Sequence, residues 1–347
     1  MKQLNKKILL LINFVFLSVL INVPSTKSYK NYSNVIDIIN NNLDINRLKN
    51  ITYKLCENHT RITGSIYCNY SAYYIQNIIN ELNFYETYLQ PFKYNYTKTV
   101  YNVVSFINNY SKYNSYCLIM AHYDTISYSN LAPGGNDNAA SISCIFEILR
   151  LLKILLNGTT IIRGLIFLAT TGEEQGLYGS RIWIKQNNNI VQKLLSVINF
   201  DMIGYGSYHT IIYNDNSEWL SNFIVETSNL LSIKIVKSKA KYPINGRSDH
   251  INFMYSGIST VWIFEKNLYY PYMHTPQDTP DKVNYYSVGN CAKLFTLVLY
   301  RLLTESVNNT KDYYSFYIII TFILITIPLL FKKLKLKRIS NYNHNSN

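Results

Sequence analysis

Four short runs in this chain are apolar almost from end to end: Ser115–Ala121, Ile161–Ala169, Leu195–Met202 and Ile258–Phe264. A strand with one wet face alternates apolar and polar residues, whereas a strand covered on both faces does not. Segments with apolar residues at helical spacing lie between these runs: Ala139–Leu156, Gly176–Gln186 and Glu218–Leu231. Further helices are expected over 34–50, Ser71–Leu82 and Val288–Leu303, and a strand over Asn102–Ile107. Strands buried on both faces and alternating with helices predict a three-layer α/β/α domain with a mixed, largely parallel central sheet. No internal repeat or linker is visible, so one domain is expected over 29–312.

The two ends read differently. Lys2, Lys6 and Lys7 precede an apolar run, Ile8 to Ile21, and Pro24, Ser25 and Ser28 follow it. This is the pattern of a signal peptide over 1–28, too short to span a bilayer comfortably. Tyr313 to Phe331 is a 19-residue apolar run without a charge, long enough for a transmembrane helix. The basic tail 332–347 follows it at once, with Lys332, Lys333, Lys335, Lys337 and Arg338. By the positive-inside rule that tail is cytosolic. The expectation is a single-pass type I membrane protein with its domain in the secretory lumen or outside the cell. The same ends explain the net charge of +13, since nine of the basic residues lie in them and about +4 remains for 29–312. A basic groove for nucleic acid is therefore not expected. An oxidising lumen allows Cys56 and Cys68 to pair across a short loop, while Cys144 reads as a buried thiol. Asn-X-Ser/Thr sequons such as those at Asn50, Asn69, Asn95 and Asn157 make a glycoprotein conceivable, but in so Asn-rich a chain they arise readily by chance.

In open α/β sheets, ligands bind beyond the carboxyl ends of the strands. There the sequence places His122 and Asp124, the turn Gly135-Asn136-Asp137-Asn138, Glu173 and Glu174, Asp201, and a loop carrying His274. Folding does not ask for such a gathering, because carboxylates crowded at one edge repel unless cations neutralise them. Two histidines and three carboxylates, one of them shared, suit two divalent metals in N/O coordination. The adjacent Glu173 and Glu174 point different ways, so one can bind metal while the other takes a proton from water. His250 is expected to shape the pocket wall. His59, His209 and His344 read as surface or tail residues, and Glu147 and Arg150 as the exposed face of their helix.

Six blocks, taken in order, resemble the M28 family of dizinc aminopeptidases. They are His122-Tyr123-Asp124, Gly135-Asn136-Asp137-Asn138, Gly172-Glu173-Glu174-Gln175-Gly176, Asn199-Phe200-Asp201-Met202-Ile203-Gly204, Arg247-Ser248-Asp249-His250 and His274-Thr275-Pro276-Gln277-Asp278-Thr279. The resemblance reaches upstream to Arg61-Ile62-Thr63-Gly64-Ser65 and spans roughly residues 50–305. It implies two Zn²⁺ per chain, with His122, Asp137, Glu174, Asp201 and His274 as ligands and Asp137 bridging. It implies Glu173 as general base and Asp124 as the partner that orients the His122 ring. The substrates implied are peptide or protein N-termini, received through a free α-amino group. Where the family often places an aromatic oxyanion helper, this chain has Met273 and Asn245, with Tyr272 and Tyr242 nearby. Glutaminyl cyclases share the scaffold with one zinc, but Asp137-Asn138-Ala139-Ala140-Ser141 and Gln277-Asp278-Thr279 side with the peptidases. Receptor ectodomains that have lost the metals form a further alternative, which the intact ligand set opposes.

Overall fold

The fold is that of a computed structural model, which describes residues 31–307 apart from 58–59, 84, 108–111, 130, 241–247 and 266–269. The expected signal peptide (1–28), the expected membrane span (313–331) and the basic tail lie outside the described residues. Among the described residues no helix is long and apolar enough to cross a membrane. The chain divides after Asp37. Of the first unit, the described part is the approach to and first turns of helix α1 (Ser33–Asn42). The architecture below is that of the second unit.

Its helices are α2 (Ile45–Cys56), α3 (Ile66–Glu81), α4 (Ala140–Leu155), α5 (Tyr178–Gln186), α6 (Asn188–Val191), α7 (Glu218–Leu230), α8 (His250–Tyr255) and α9 (Tyr285–Thr304). Eight strands form one sheet: β1 (Tyr85–Tyr94), β2 (Lys98–Ile107), β3 (Tyr116–His122), β4 (Gly164–Thr170), β5 (Leu194–Phe200), β6 (His209–Tyr213), β7 (Ile235–Lys239) and β8 (Thr260–Glu265). The order is β1-β2-β4-β3-β5-β8-β6-β7. The centre, β4-β3-β5-β8, is parallel; β2 joins it antiparallel on one side and β6 on the other.

Every residue of β3, β4 and β8 is buried, as both-face coverage requires. On one face Ile119, Phe167, Ile198 and Val261 pack with residues of α2, α3, α4, α7 and α9; on the other, Leu118, Leu168 and Val197 pack with Trp183 of α5, Val191 of α6 and Phe253 of α8. The layers are therefore helix, sheet, helix. Phe295 of α9 meets Phe200 edge to face at 4.8 Å, one residue before Asp201. Truncating a buried ring of this kind costs about 3–5 kcal/mol, so the floor of the strand end is firmly held. Side chains cap the helices: Asp44 accepts from the Arg47 N–H, Ser65 from Cys68 and Asn284 from Ser287, satisfying donors that the first helical turn leaves open.

Three expectations are corrected. Glu147 is not exposed: α2 and α9 cover the far side of α4. Its carboxylate is fully buried, accepting from the Asp44 N–H at 2.8 Å and from Arg150. The apolar stripe of a single helix cannot reveal that a second layer of helices covers its back. His209 is likewise buried, its Nε2–H donating to the Ile203 carbonyl at 2.9 Å. Cys56 and Cys68 are both free. They serve different neighbours, Cys68 lying 3.2 Å from the Thr171 hydroxyl, and burial pushes both thiols up to about 12. Cys144 is a buried thiol, as expected.

Candidate active site

Register along the parallel strands brings the expected residues together. His122 pairs with Thr170, Met120 with Asn199 and Phe200 with Ile263. His122, the Thr171–Glu174 segment, Asp201 and Glu265 therefore leave the sheet along one edge. The 134–139 turn and the 270–279 loop close over it: the Gly135 N–H donates to the Asp278 carbonyl at 2.9 Å.

The polar groups form two clusters with one common member. His122 Nε2 lies 3.3 Å from Asp137 Oδ1 and 3.4 Å from Asp201 Oδ1. His274 Nε2 lies 3.3 Å from Asp137 Oδ2 and 3.0 Å from Glu174 Oε2. Each group could hold a cation, and Asp137 offers one oxygen to each. A tetrahedral zinc with bonds of about 2.0–2.1 Å separates its ligand atoms by about 3.3 Å. The spacings fit that geometry, and the donor set of imidazole and carboxylate without thiolate fits zinc chemistry. Glu174 Oε1 is buried with no hydrogen-bond partner, which a coordinating cation would relieve. Glu173 is buried beside them, a carboxylate oxygen within 4.8 Å of donor atoms of His122 and Glu174.

The electrostatics tell the same story. Burial alone would lower the His122 imidazole, but Asp201, Glu173 and Asp137 overcome it and hold the ring well above the ordinary histidine range. His274 is raised to about 11 against its own desolvation, by Asp137 and Glu174. Burial, with the Asp137 charge added, lifts Glu174 to about 7. Glu173 is raised strongly by burial, partly offset by His122 and reinforced by Asp201 and Glu174. Without cations the imidazoles must carry the positive charge that these acids demand.

Hydrogen bonds fix the turn that carries Asp137. Asn136 donates its N–H to Asp278 Oδ1 (2.8 Å), donates its amide to Glu265 Oε2 (2.9 Å) and accepts from the Gly204 N–H (2.6 Å). Asn138 bridges Phe200 O and the Met202 N–H at the end of β5. The fully buried Arg61 donates to the carbonyls of Leu55, Tyr123, Pro133 and Gly134, and so ties the end of α2 to the loops at 123 and 133–134. Gly134 has φ +66, and a Cβ there would lie 2.3 Å from Thr125 Cγ2 and 2.4 Å from Asp137 O.

Asp124 departs from its expected contact. The His122 Nδ1–H points to the main-chain carbonyl of Asp124 at 3.1 Å, and the carboxylate is 3.7 Å away. That carboxylate accepts instead from the Thr63 hydroxyl (3.0 Å) and from the N–H groups of Glu173 and Glu174 (both 3.3 Å). It shapes the loop that presents the two glutamates. His250 is fully buried and stacks on Trp262 at 4.9 Å, and Asp249 accepts the hydroxyls of Thr170 and Ser180. Tyr272 packs edge to face on Tyr270, whereas Tyr242 and Asn245 lie outside the described residues.

Sequence reasoning missed Glu265 and Tyr128. Glu265 ends a solid apolar strand as Asp201 does, is buried near Asp137 and Asp201, and is lifted to about 9 chiefly by burial; the same signal could have found it. Tyr128, whose hydroxyl touches His274, had no distinguishing signal among 33 tyrosines.

The sequence profile described as "Peptidase family M28" matches residues 102–299. Aminopeptidase YwaD of Bacillus subtilis (strain 168) is 28% identical over 193 residues, covering 54% of this chain and 41% of that protein. A probable leucine aminopeptidase of Arthroderma otae is 29% identical over 195 residues, covering 53% of each chain. The chain thus spans about half the length of these curated relatives. The crystal structure of the Legionella pneumophila LapA aminopeptidase shares the fold, with a TM-score of 0.68 at 22% identity over 83% of this chain and 79% of that one.

Proposed function

Because the chain belongs to peptidase family M28, we propose that it is a zinc-dependent aminopeptidase that hydrolyses the N-terminal bond of peptides or proteins. One observation carries the reading: Asp137 stands between His122 and His274 with an oxygen toward each, and Asp201 and Glu174 complete the two groups.

In this reading His122, Asp137 and Asp201 hold one zinc, and Asp137, Glu174 and His274 the other. Bound zinc supplies Lewis acidity toward the scissile carbonyl and makes water a stronger acid. Glu173 is the general base: its carboxylate takes the proton of the attacking water and returns it to the departing amine. Its seclusion from solvent raises its proton affinity, as that double role demands. Asp124 holds the Glu173 and Glu174 amides and so sets where the base stands. The printed names of the relatives, an aminopeptidase and a probable leucine aminopeptidase, support trimming from the N-terminus.

Glu173→Gln tests the assignment. It should leave zinc content and fold intact and cut turnover of an aminoacyl-amide reporter by at least about a hundredfold. Undiminished turnover would remove Glu173 from its role. Zinc content near two per chain separates this reading from a one-zinc glutaminyl cyclase. The terminal apolar segments 8–21 and 313–331 support display of the domain on the luminal or outer side of a membrane. In sealed microsomes added protease should remove the tail 332–347 and spare the domain, and the reverse pattern would overturn that topology.

A further inference from the structure

The two imidazoles are anchored differently on the side away from the clusters. His122 Nδ1 faces a main-chain carbonyl, that of Asp124, in the buried floor. His274 Nδ1 faces a side chain: the Tyr128 hydroxyl, at 2.9 Å. We propose that Tyr128 is a positioning residue that fixes the His274 ring and retains the zinc that Asp137, Glu174 and His274 would hold.

Three observations support the assignment. First, Tyr128 and His274 are fastened twice, since the Tyr128 N–H donates to the His274 carbonyl at 3.1 Å while the two rings meet at 5.1 Å and 71°. Second, His274 has φ +60, a left-handed conformation that a non-glycine residue adopts at a cost; the hydrogen bond to its carbonyl helps to hold that conformation. Third, Tyr128 is 77% exposed. It adds little to the core, so its position over His274 is not a by-product of packing.

The chemistry requires such a partner. An imidazole that offers its Nε2 lone pair to a cation carries its proton on Nδ1, and that N–H needs an acceptor to fix tautomer and ring plane. The Tyr128 oxygen accepts it, leaving Nε2 toward Asp137 and Glu174. The hydroxyl reaches only one of the two clusters, so its loss should act on one metal position alone.

This inference rests on the reading that Asp137, Glu174 and His274 hold zinc. The experiment titrates metal-free full-length chain with Zn²⁺ against a competing chelator. It compares wild type, Tyr128→Phe and His274→Ala, and records the thermal midpoint of each with and without zinc. Tyr128→Phe keeps the ring and removes the oxygen. It should weaken one of two zinc equivalents by about tenfold or more, speed its exchange, leave the other equivalent unchanged and leave the metal-free midpoint at the wild-type value. Equal affinity and exchange in Tyr128→Phe and wild type would overturn the assignment. So would a loss spread over both equivalents with a lowered metal-free midpoint, the mark of a merely structural residue. If His274→Ala binds zinc as wild type does, the site reading itself falls, an outcome distinct from failure of Tyr128 alone.

Discussion

Asp278 holds Asp137 from behind: its Oδ2 accepts the Asp137 main-chain N–H at 3.1 Å, while its Oδ1 takes the neighbouring Asn136 N–H at 2.8 Å. Two fixed N–H groups orient the turn, and the turn aims a carboxylate that serves both clusters. Asp278→Ala should therefore weaken both zinc equivalents together, by about 10- to 100-fold. It should also lower stability by about 1–3 kcal/mol, because three buried donors, the Asn136 and Asp137 amides and the Tyr270 hydroxyl, lose their acceptor. Zinc titration and urea unfolding check the two effects, and loss of a single equivalent would contradict the shared role of Asp137.

Gly134→Ala should be severe for so small a change. The new methyl group meets Thr125 Cγ2 and the Asp137 carbonyl well inside contact distance, in a left-handed backbone conformation. A destabilisation above about 2 kcal/mol is expected, together with loss of zinc, measured by urea unfolding and metal content. Gly158→Ala serves as the control: it shares a positive φ, but its Cβ would meet nothing within 4 Å.

Removing metal should loosen the whole fold. Among the described residues, Asp137, Asp201 and Glu174 pair with the imidazoles of His122 and His274 and with no lysine or arginine. A ligand present at a thousand times its Kd adds about 4 kcal/mol, so exhaustive chelation should lower Tm by roughly 5–15 °C, and zinc should restore it. Calorimetry before and after dialysis measures this; an unchanged Tm would argue against metal in the site.

Burial depresses the His209 imidazole to about 4. The unfolded chain binds that proton from about pH 6.5 downward and the folded chain only near pH 4. Between those values the unfolded state holds more protons, so stability rises with pH and is lost on acidification, by up to about 3 kcal/mol. His209→Gln should flatten this part of the stability–pH profile. Urea midpoints at pH 4.5, 5.5 and 7 test it, and an equal slope in the variant would assign the acid sensitivity elsewhere.

What could be read from the sequence was whatever leaves a periodic or local trace. The both-face-buried strands β3, β4, β5 and β8 announce themselves by unbroken apolar runs, and the residues just past their ends are the candidate site. The outer strands do not. β1 contains Pro91, which reads as a breaker but is tolerated at a sheet edge. β7 is largely exposed and carries Lys237 and Lys239, so no apolar face marks it. Side-chain partners were least legible. The fate of Glu147, His209, Cys56 and Cys68 depends on which distant segment packs over each, and Tyr128 reaches His274 across 146 positions of chain.

The anchoring of His122 has a genetic corollary. Its acceptor is a peptide oxygen, which every amino acid at position 124 would supply. Codon replacement there cannot delete the ring's tether; it can only release Thr63 and the amides ahead of the two glutamates. Alleles at 124 and at 122 should therefore have separable phenotypes, the former displacing the base while the latter abolishes a ligand.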